Sequence, residues 1–148
     1  SLVTMTELVL PQHTNTLGTC FGGQILSWID VAASVCAGRH AGGVCVTVAF
    51  DDVHFKLPIQ LGNIVHIEAR MAHVGRSSME IAVVCSRETF AGCREVAIEA
   101  FVTFVSLHAD GTPKPVAGLK IESAEDHRLQ EQALLRRRQR LQRAGRST

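Results

Sequence analysis

The stretch from Cys45 to Leu107 constrains the fold most, because strand-like segments follow one another there without an intervening helix. These segments are β-branched, aromatic or alternating, and turn-forming residues separate them. They read CVTVAFDDVHF, IVHIEARMAHV, SMEIAVVCSRE and REVAIEAFVTFVSL. TFAGC, between the last two, predicts a hairpin with Gly92 in its turn. Because strands and helices do not alternate, the sheet is predicted to be mostly antiparallel.

A long segment with helical features precedes these strands and runs from about Gly23 to Arg39. At 100° per residue its apolar side chains cover a broad arc, and His40 with the Gly42-Gly43 pair provides a stop signal. The leading segment LVTMTELVL predicts one more strand. Residues 1–120 are therefore predicted to form a single α+β domain, with an antiparallel sheet covered by this helix.

The last segment, residues 121–148, is predicted to be a basic C-terminal helix and tail. Its helix begins at Ser123 with SAED, which has the spacing of a capping box. Seven Arg stand against four acidic residues in this segment. The simplest interpretation is a solvated helix end, where cations suit the helix dipole. The alternative is an arm that contacts nucleic acid or another partner.

Composition excludes several function classes. A net charge of +1 gives no global signal for nucleic acid. The cysteines have no C-x-x-C pair and apolar neighbours, so we expect packed, reduced thiols rather than disulfides, a zinc site or a nucleophile. No apolar run is long enough to span a membrane, and a signal peptide is not apparent. We expect a cytoplasmic protein that binds neither membrane nor metal. The cysteines are Cys20, Cys36, Cys45, Cys85 and Cys93.

Asp30 lies inside the apolar helix, at the edge of its hydrophobic arc. A lone Asp in a helix is more often a structural ion pair or solvent-exposed than catalytic. The Gly22-Gly23 pair at the helix start favours a catalytic role for Asp30, because it exposes backbone N–H donors where the helix dipole adds positive charge. Such a helix start can hold an oxyanion.

Two neighbouring features offer further polar groups. The loop before the helix carries His13 and Asn15, and the VGRSSME turn supplies Arg76 with two serines, a set suited to phosphate. Taken singly, each is weak, because such sequences usually form ordinary polar turns.

Together, three ordered motifs carry a resemblance. They are LPQHTNTLGTCFGGQILSWID, CVTVAFDDVHFKLPIQLGNIVHIEARM and VGRSSMEI. The chain closely resembles the hotdog-fold acyl-CoA thioesterases, in the branch of the mammalian cytosolic two-hotdog enzymes and their single-domain bacterial relatives. The resemblance implies a hotdog fold, in which the sheet wraps one long central helix.

The resemblance also assigns site residues. The family's catalytic Asp and Asn fall on Asp30 and Asn15, and its carbonyl-binding backbone N–H falls at or beside Gly23. The family's contacts to CoA fall on the β-turn, with Arg76 at a position that often holds a basic residue. These turn residues are Gly75, Arg76, Ser77 and Ser78.

The spacing of Gly23 and Asp30 has a consequence that does not depend on the family. Seven residues of helix separate them by about 10 Å of rise. A carbonyl held by the Gly23 N–H is then out of hydrogen-bond reach of the same chain's Asp30. If both act on one carbonyl, the acid comes from a second chain whose helix runs antiparallel in a two-fold dimer. The resemblance implies such homodimers, often assembled as trimers of dimers.

The predicted function is hydrolysis of an acyl-CoA to a free acid and CoA. Asp30 acts as a general base on water or attacks directly to form a mixed anhydride, and both routes stay open. No cofactor is expected, since CoA belongs to the substrate. The alternatives are a hotdog hydratase or dehydratase, which needs a His-plus-acid pair, and a non-catalytic acyl-CoA-binding regulator. Acyl chain length stays open.

Overall fold

The computed structural model describes residues 2–119, 124–143 and 145. Within these ranges the chain forms five strands and two long helices, with a short 3-10 turn at Pro11–His13. In chain order the elements are β1 (Leu2–Leu8), α1 (Gly22–Ala41), β2 (Cys45–Phe55), β3 (Ile64–Val74), β4 (Ser78–Glu88), β5 (Arg94–Ser106) and α2 (Ala124–Arg143).

The strands form one antiparallel sheet in the order β1-β3-β4-β5-β2. The prediction of an antiparallel sheet is therefore confirmed. The β4–β5 hairpin also forms as predicted: the Thr89 N–H donates to the Cys93 carbonyl at 3.0 Å, and Gly92 has a φ of 90°. That left-handed φ favours glycine in the turn. β2 and β1 are the edges of this sheet.

Helix α1 packs against one face of the sheet and forms the core with it. Ile29, Ala32 and Cys36 are fully buried on the helix side, and alternate residues of β3, β4 and β5 line the sheet side. The helix ends at Gly42, whose φ of 70° is left-handed and whose N–H donates to the Gly38 carbonyl at 2.8 Å. The predicted stop signal is confirmed.

Part of the apolar arc of α1 is not buried by the sheet. Val31 and Val35 extend the hydrophobic arc in the sequence, yet they are 49% and 37% exposed. The arc is wider than the face that a chain's own sheet can cover, so these two side chains point away from the core. The described chain therefore presents an apolar strip along its central helix.

Helix α2 covers the opposite face of the sheet. The Arg136 guanidinium makes a bidentate ion pair with Glu80 of β4 and lies 3.4 Å from the ring centroid of Phe101. Arg136 is 7% exposed and Glu80 is 3% exposed. Arg140 pairs with Asp51 at 2.5 Å.

The predicted solvated helix end is therefore wrong for Arg136 and Arg140. Both side chains fold back to neutralise carboxylates on the sheet, whereas Arg137 and Arg138 stay exposed. Two arginines of α2 also affect the pKa of His73 in β3. Burial lowers the pKa of His73, and the positive charges of Arg137 and Arg140 lower it further. Ser123 and the predicted boundary at residue 120 lie outside the described residues.

A strap without regular structure, residues 108–119, returns from β5 across one end of the molecule. The Val116 N–H donates to the Arg76 carbonyl at 2.9 Å, and the His40 Nε2 lies 2.7 Å from the Ala117 carbonyl oxygen. The strap thereby joins the C-terminal end of α1 to the turn between β3 and β4. No helix in the described ranges is both long and apolar enough to cross a membrane.

Candidate active site

The start of α1 presents unused backbone donors. The first N–H groups of the helix to be bonded are those of Gln24 and Ile25, which both donate to the Phe21 carbonyl. Phe21 is the N-cap residue and provides no side-chain cap. The N–H groups of Gly22 and Gly23 make no hydrogen bond with the described residues, so they are left for another acceptor at the positive end of the helix dipole. A Cβ atom added to Gly23 would meet no atom within 4 Å, so open space adjoins this residue.

The loop before α1 closes on itself and holds Asn15. The Asn15 Oδ1 accepts hydrogen bonds from the N–H groups of Leu17 (2.9 Å) and Thr19 (3.2 Å). Two backbone donors fix the orientation of the carboxamide, because only oxygen can accept from them. Asn15 is thus left with its NH₂ group as a donor, which makes no hydrogen bond within the described part of the chain. The Phe21 N–H donates to the His13 carbonyl at 2.9 Å and so ties this loop to the helix start.

His13 is held by its own surroundings. Its Nδ1 accepts from the Leu10 N–H at 3.0 Å, and its ring meets the Trp28 ring edge to face with centroids 5.0 Å apart. Because Nδ1 is an acceptor, a neutral His13 carries its proton on Nε2. The structure shows no hydrogen bond between His13 and Asp30, the contact that a His-plus-acid pair would need.

Asp30 is half-buried and is held by a residue that sequence reasoning missed. The Thr47 hydroxyl of β2 donates to Asp30 Oδ1 at 2.7 Å. The β2–β5 register shifts between Thr47 and Ala49, and such a bulge re-aims the side chains beside it. No local sequence signal links Thr47 to Asp30, because the bulge depends on pairing with β5.

The predicted CoA-binding turn joins β3 to β4. The Gly75 N–H donates to the Ser78 carbonyl at 2.8 Å, and a Cβ atom added to Gly75 would lie 2.7 Å from Ser78 Oγ. A larger residue at position 75 would therefore require the Ser78 side chain to move. The Ser77 carbonyl accepts from the Ser106 N–H at 2.9 Å, and the Arg76 side chain is exposed. The turn is thus held by backbone hydrogen bonds and presents the Arg76 cation, which makes no ion pair with any described residue.

The predicted site residues fall into three groups within one chain. Asn15 and Gly23 lie at the start of α1, and Asp30 with Thr47 lies about 10 Å further along the same helix. The Gly75–Ser78 turn lies beyond the C-terminal end of α1, connected to it through the strap. A single chain therefore does not bring Gly23 and Asp30 to one reacting carbonyl.

Comparison with known proteins identifies the family of this chain. The family model described as Thioesterase superfamily matches residues 17–89. The uncharacterized acyl-CoA thioester hydrolase YkhA of Bacillus subtilis is 39% identical over 141 residues, which are 95% of this chain and 82% of that protein. The chain belongs to the acyl-CoA thioester hydrolases of this superfamily. Acyl-coenzyme A thioesterase 11 of Mus musculus is 40% identical over 70% of this chain, which spans 18% of that longer protein.

Solved structures of thioesterases confirm the hotdog fold. An apo-hexameric acyl-CoA thioesterase has a TM-score of 0.91 at 38% identity, covering 97% of this chain and 92% of that one. The acyl-CoA hydrolase of Staphylococcus aureus, in complex with butyryl coenzyme A and coenzyme A, has a TM-score of 0.89 at 33% identity, covering 97% and 88%. Variants of that hydrolase with an Asp, a Thr or an Asn replaced by Ala are also solved.

A cavity of about 180 Å³ adjoins the start of α1 in this thioesterase, and we refer to it as the α1 cavity. It lies between the helix start, the loop before it and the segment that follows β2. The residues that line it are Thr19, Cys20, Gly22, Ile25, Phe55, Lys56, Leu57, Pro58 and Ile59.

The cysteines of this thioesterase are all thiols. Burial raises the pKa of Cys20 and Cys45, and it raises the pKa of Cys85 to about 12. Since the thiolate is the nucleophile, these groups are poorly suited to attack a thioester. Within the described ranges, no group of three or more His, Cys, Asp or Glu side chains is arranged to hold a metal ion.

Proposed function

We propose that this thioesterase hydrolyses acyl-CoA in a site built by two chains, with Asn15 and Gly23 from one chain and Asp30 and Thr47 from its partner. One observation carries the proposal: Gly23 and Asp30 stand seven residues apart on one unbroken helix. About 10 Å of rise is too far for both to act on a single carbonyl. An antiparallel neighbouring helix removes the distance and creates two equal sites.

In this site the Gly23 N–H holds the thioester oxygen and stabilises the oxyanion that develops on it. Asp30 takes the proton from a water that attacks the carbonyl carbon, the C–S bond breaks, and the CoA thiolate leaves and is protonated. Alternatively, the Asp30 carboxylate attacks first, CoA leaves from a mixed anhydride, and water then hydrolyses the anhydride. Thr47 orients the carboxylate in either route, and the Asn15 NH₂ group donates to water or substrate.

The substituted residues of the S. aureus hydrolase support these roles. In that protein the Asn precedes the Asp by 15 residues and the Thr follows it by 17. Asn15, Asp30 and Thr47 have the same separations in this chain. Thr47 thus joins the candidate site on two independent grounds, namely its hydrogen bond to Asp30 and this spacing.

Two exposed surfaces support the dimer. Along α1, Gly23, Ser27, Val31 and Val35 form an exposed strip of small and apolar residues at helical spacing. The midpoint between Gly23 and Asp30 falls beside Ser27, whose small side chain permits close approach at a two-fold axis. β2 is an edge strand with exposed Val46, Val48 and Phe50, and such an edge is a template for pairing with another chain.

The larger assembly and the remaining contacts are proposed as follows. Three dimers form a hexamer, as the hexameric thioesterase neighbours support. Arg76, Ser77 and Ser78 hold the nucleotide end of CoA, which is part of the substrate, so no separate cofactor takes part. The five thiols suit a reducing cytoplasmic setting.

The position of the CoA-binding turn relative to α1 supports an assignment of this turn to one of the two chains. The turn lies beside the C-terminal end of its own α1, near His40, which is about 15 Å along the helix from Asp30 but about 25 Å from Gly23. A thioester placed beside Asp30 is therefore nearer to the turn of the Asp30 chain. We assign Gly75–Ser78 to the chain that supplies Asp30 and Thr47.

Replacing Asp30 with Asn tests the catalytic role. The substitution is isosteric and keeps an oxygen that accepts from Thr47, so the fold should be retained. Loss of a general base or carboxylate nucleophile should lower kcat for thiol release at least a hundredfold, within the range of about 10²–10⁴ for general-base removal. Thiol release and the thermal midpoint are measured for both proteins.

Asp110→Asn is the matched control, because Asp110 is an exposed Asp in the strap. It should keep normal turnover. Near-normal turnover by Asp30→Asn would show that Asp30 is structural and would overturn the proposed mechanism.

A further inference from the structure

The α1 cavity adjoins the helix start at which the thioester carbonyl is proposed to bind. Gly22 lines it, next to Gly23, and a Cβ atom added to Gly22 would lie 3.7 Å from the Phe55 ring. The Phe55 ring therefore lies against the start of α1. A group attached to the carbonyl carbon has this cavity as its neighbour in the same chain.

The wall of the cavity is apolar. Cys20, Ile25 and Ile59 form buried parts of it, and the Cys20 N–H is already bonded to the Ile59 carbonyl at 2.7 Å. Lys56 also borders the cavity, but its Nζ pairs with Glu99 of β5 at 2.8 Å. Its charge is thus directed to the sheet surface. Such a lining favours hydrocarbon over the amides of pantetheine or the phosphates of the nucleotide.

The volume of the cavity limits what it can hold. An engineered apolar cavity of about 150 Å³ in another protein binds benzene, so a cavity of about 180 Å³ accommodates an apolar group of about six heavy atoms. An acyl tail of about four to six carbons fills it, whereas a longer tail has to displace a wall. Phe55 is the wall most able to respond, because it is the last residue of β2 and its side chain is half exposed in the single chain.

We propose that the α1 cavity binds the acyl chain and that Phe55 sets the upper limit of its length, so that this thioesterase prefers short straight-chain acyl-CoAs. The proposal rests on the proposed function, since it uses the same carbonyl position. It adds a substrate class and a specificity-determining residue to that site.

The test compares straight-chain acyl-CoAs from acetyl to decanoyl on wild type and Phe55→Ala. Each methylene that enters the cavity should raise kcat/KM about fourfold, and wild type should gain until about hexanoyl and then level or fall. Phe55→Ala should keep gaining beyond that length. Its ratio of decanoyl to butyryl kcat/KM should rise at least tenfold over wild type. A ratio cancels any loss common to all substrates.

Phe90→Ala is the matched control, because Phe90 is 80% exposed at the tip of the β4–β5 hairpin. Its ratio should equal that of wild type. Leu57→Trp should act in the opposite direction by filling the cavity, and it should lower the ratio of hexanoyl to acetyl kcat/KM. If Phe55→Ala does not fold, Phe55→Leu and Leu57→Trp provide the same comparison.

An unchanged ratio in folded, active Phe55 and Leu57 variants would overturn the proposal. Equal loss on every chain length, acetyl included, would also overturn it, since Phe55 would then contact a part common to all substrates. Asp30→Asn is assayed in parallel. If Asp30→Asn stays active while the chain-length ratios of the Phe55 and Leu57 variants shift, the proposed mechanism fails and the acyl cavity stands. If Asp30→Asn is inactive while those ratios do not change, the mechanism stands and the acyl-cavity proposal fails.

Discussion

Thr47 fixes the orientation of the Asp30 carboxylate. Its hydroxyl engages Oδ1 at 2.7 Å, while Oδ2 has no hydrogen-bond partner within the described residues. Thr47→Val is nearly isosteric and removes this donor. A hydrogen bond to a charged group contributes about 1.5–3 kcal/mol, so kcat should fall about tenfold to a hundredfold. Thiol-release kinetics provide the measurement, with KM expected to change little.

Thr47→Ser keeps the hydroxyl and is the matched control, so its kcat should stay within a few-fold of wild type. Since Thr47 is exposed in the single chain, neither variant should shift the thermal midpoint strongly. Equal activity of the Val and Ser variants would remove Thr47 from the catalytic site.

At the scale of elements, α2 depends on the buried pair of Arg136 and Glu80. Removing Arg136 leaves the buried Glu80 carboxylate with Arg140, 3.9 Å away, as its remaining cation among the described residues. Loss of one partner of a buried ion pair costs about 3–5 kcal/mol. At about 2–4 °C per kcal/mol for a chain of this size, Arg136→Met should lower the thermal midpoint by about 10 °C. Differential scanning calorimetry measures the shift. Arg138→Met, an exposed neighbour, should change it little.

A double variant and a pH series sharpen this test. Glu80→Met with Arg136→Met removes both charges and should recover most of the lost stability. Burial raises the pKa of Glu80, and Arg136 opposes that rise. Without Arg136, the pKa of Glu80 in the folded state rises further above the ordinary value of 4.5. The Glu80 carboxyl therefore binds its proton more tightly in the folded state than in the unfolded state.

The sign of the pH effect follows from that difference. Stabilisation by the bound proton is fully present below about pH 4.5 and is lost as pH rises through the raised folded pKa. The deficit of Arg136→Met relative to wild type should therefore be smaller near pH 4.5 than near pH 7.5. A deficit that does not change with pH would show that Glu80 is not the charge left uncompensated.

At the scale of the whole molecule, a two-chain site predicts complementation between inactive variants. Asn15→Ala and Asp30→Asn should each be nearly inactive, because each damages both sites of its own dimer. Unfolding and refolding equal amounts together makes about half of the dimers mixed, and each mixed dimer has one intact site. Activity should recover to about a quarter of wild type. No recovery despite demonstrated chain exchange would place both residues in the same chain's site.

The assignment of the CoA-binding turn gives a second pairing of the same kind. Arg76→Glu should weaken binding of the nucleotide end, and kcat/KM is therefore measured at low substrate concentration. Refolded with Asn15→Ala, it should form one intact site in each mixed dimer. Refolded with Asp30→Asn, it should form none. The opposite pattern would assign the turn to the chain that supplies Gly23.

The sequence by itself determined the features that local patterns encode. The β-branched, aromatic and alternating segments of residues 45–107 predicted the strands, and the lack of helices between them predicted an antiparallel sheet. The glycines at 22–23 and 42–43 marked the ends of α1. Asn15, Asp30 and the Gly75–Ser78 turn could be singled out because their motifs are short and contiguous. The spacing of Gly23 and Asp30 required a second chain as soon as both stood on one helix, because the rise of a helix is fixed.

Only the tertiary structure decided which distant residues meet. Thr47 reaches Asp30 because a shift in the β2–β5 register turns its side chain toward α1, and register depends on pairing between strands. Arg136 pairs with Glu80, 56 residues away in the sequence. Because of this contact, α2 covers the sheet, whereas the sequence predicted a solvated helix end. A run of charged residues has the same sequence pattern whether its helix face is exposed to solvent or packed against a sheet. Its position is decided by the burial of an opposite charge on another element, which is a property of packing rather than of sequence.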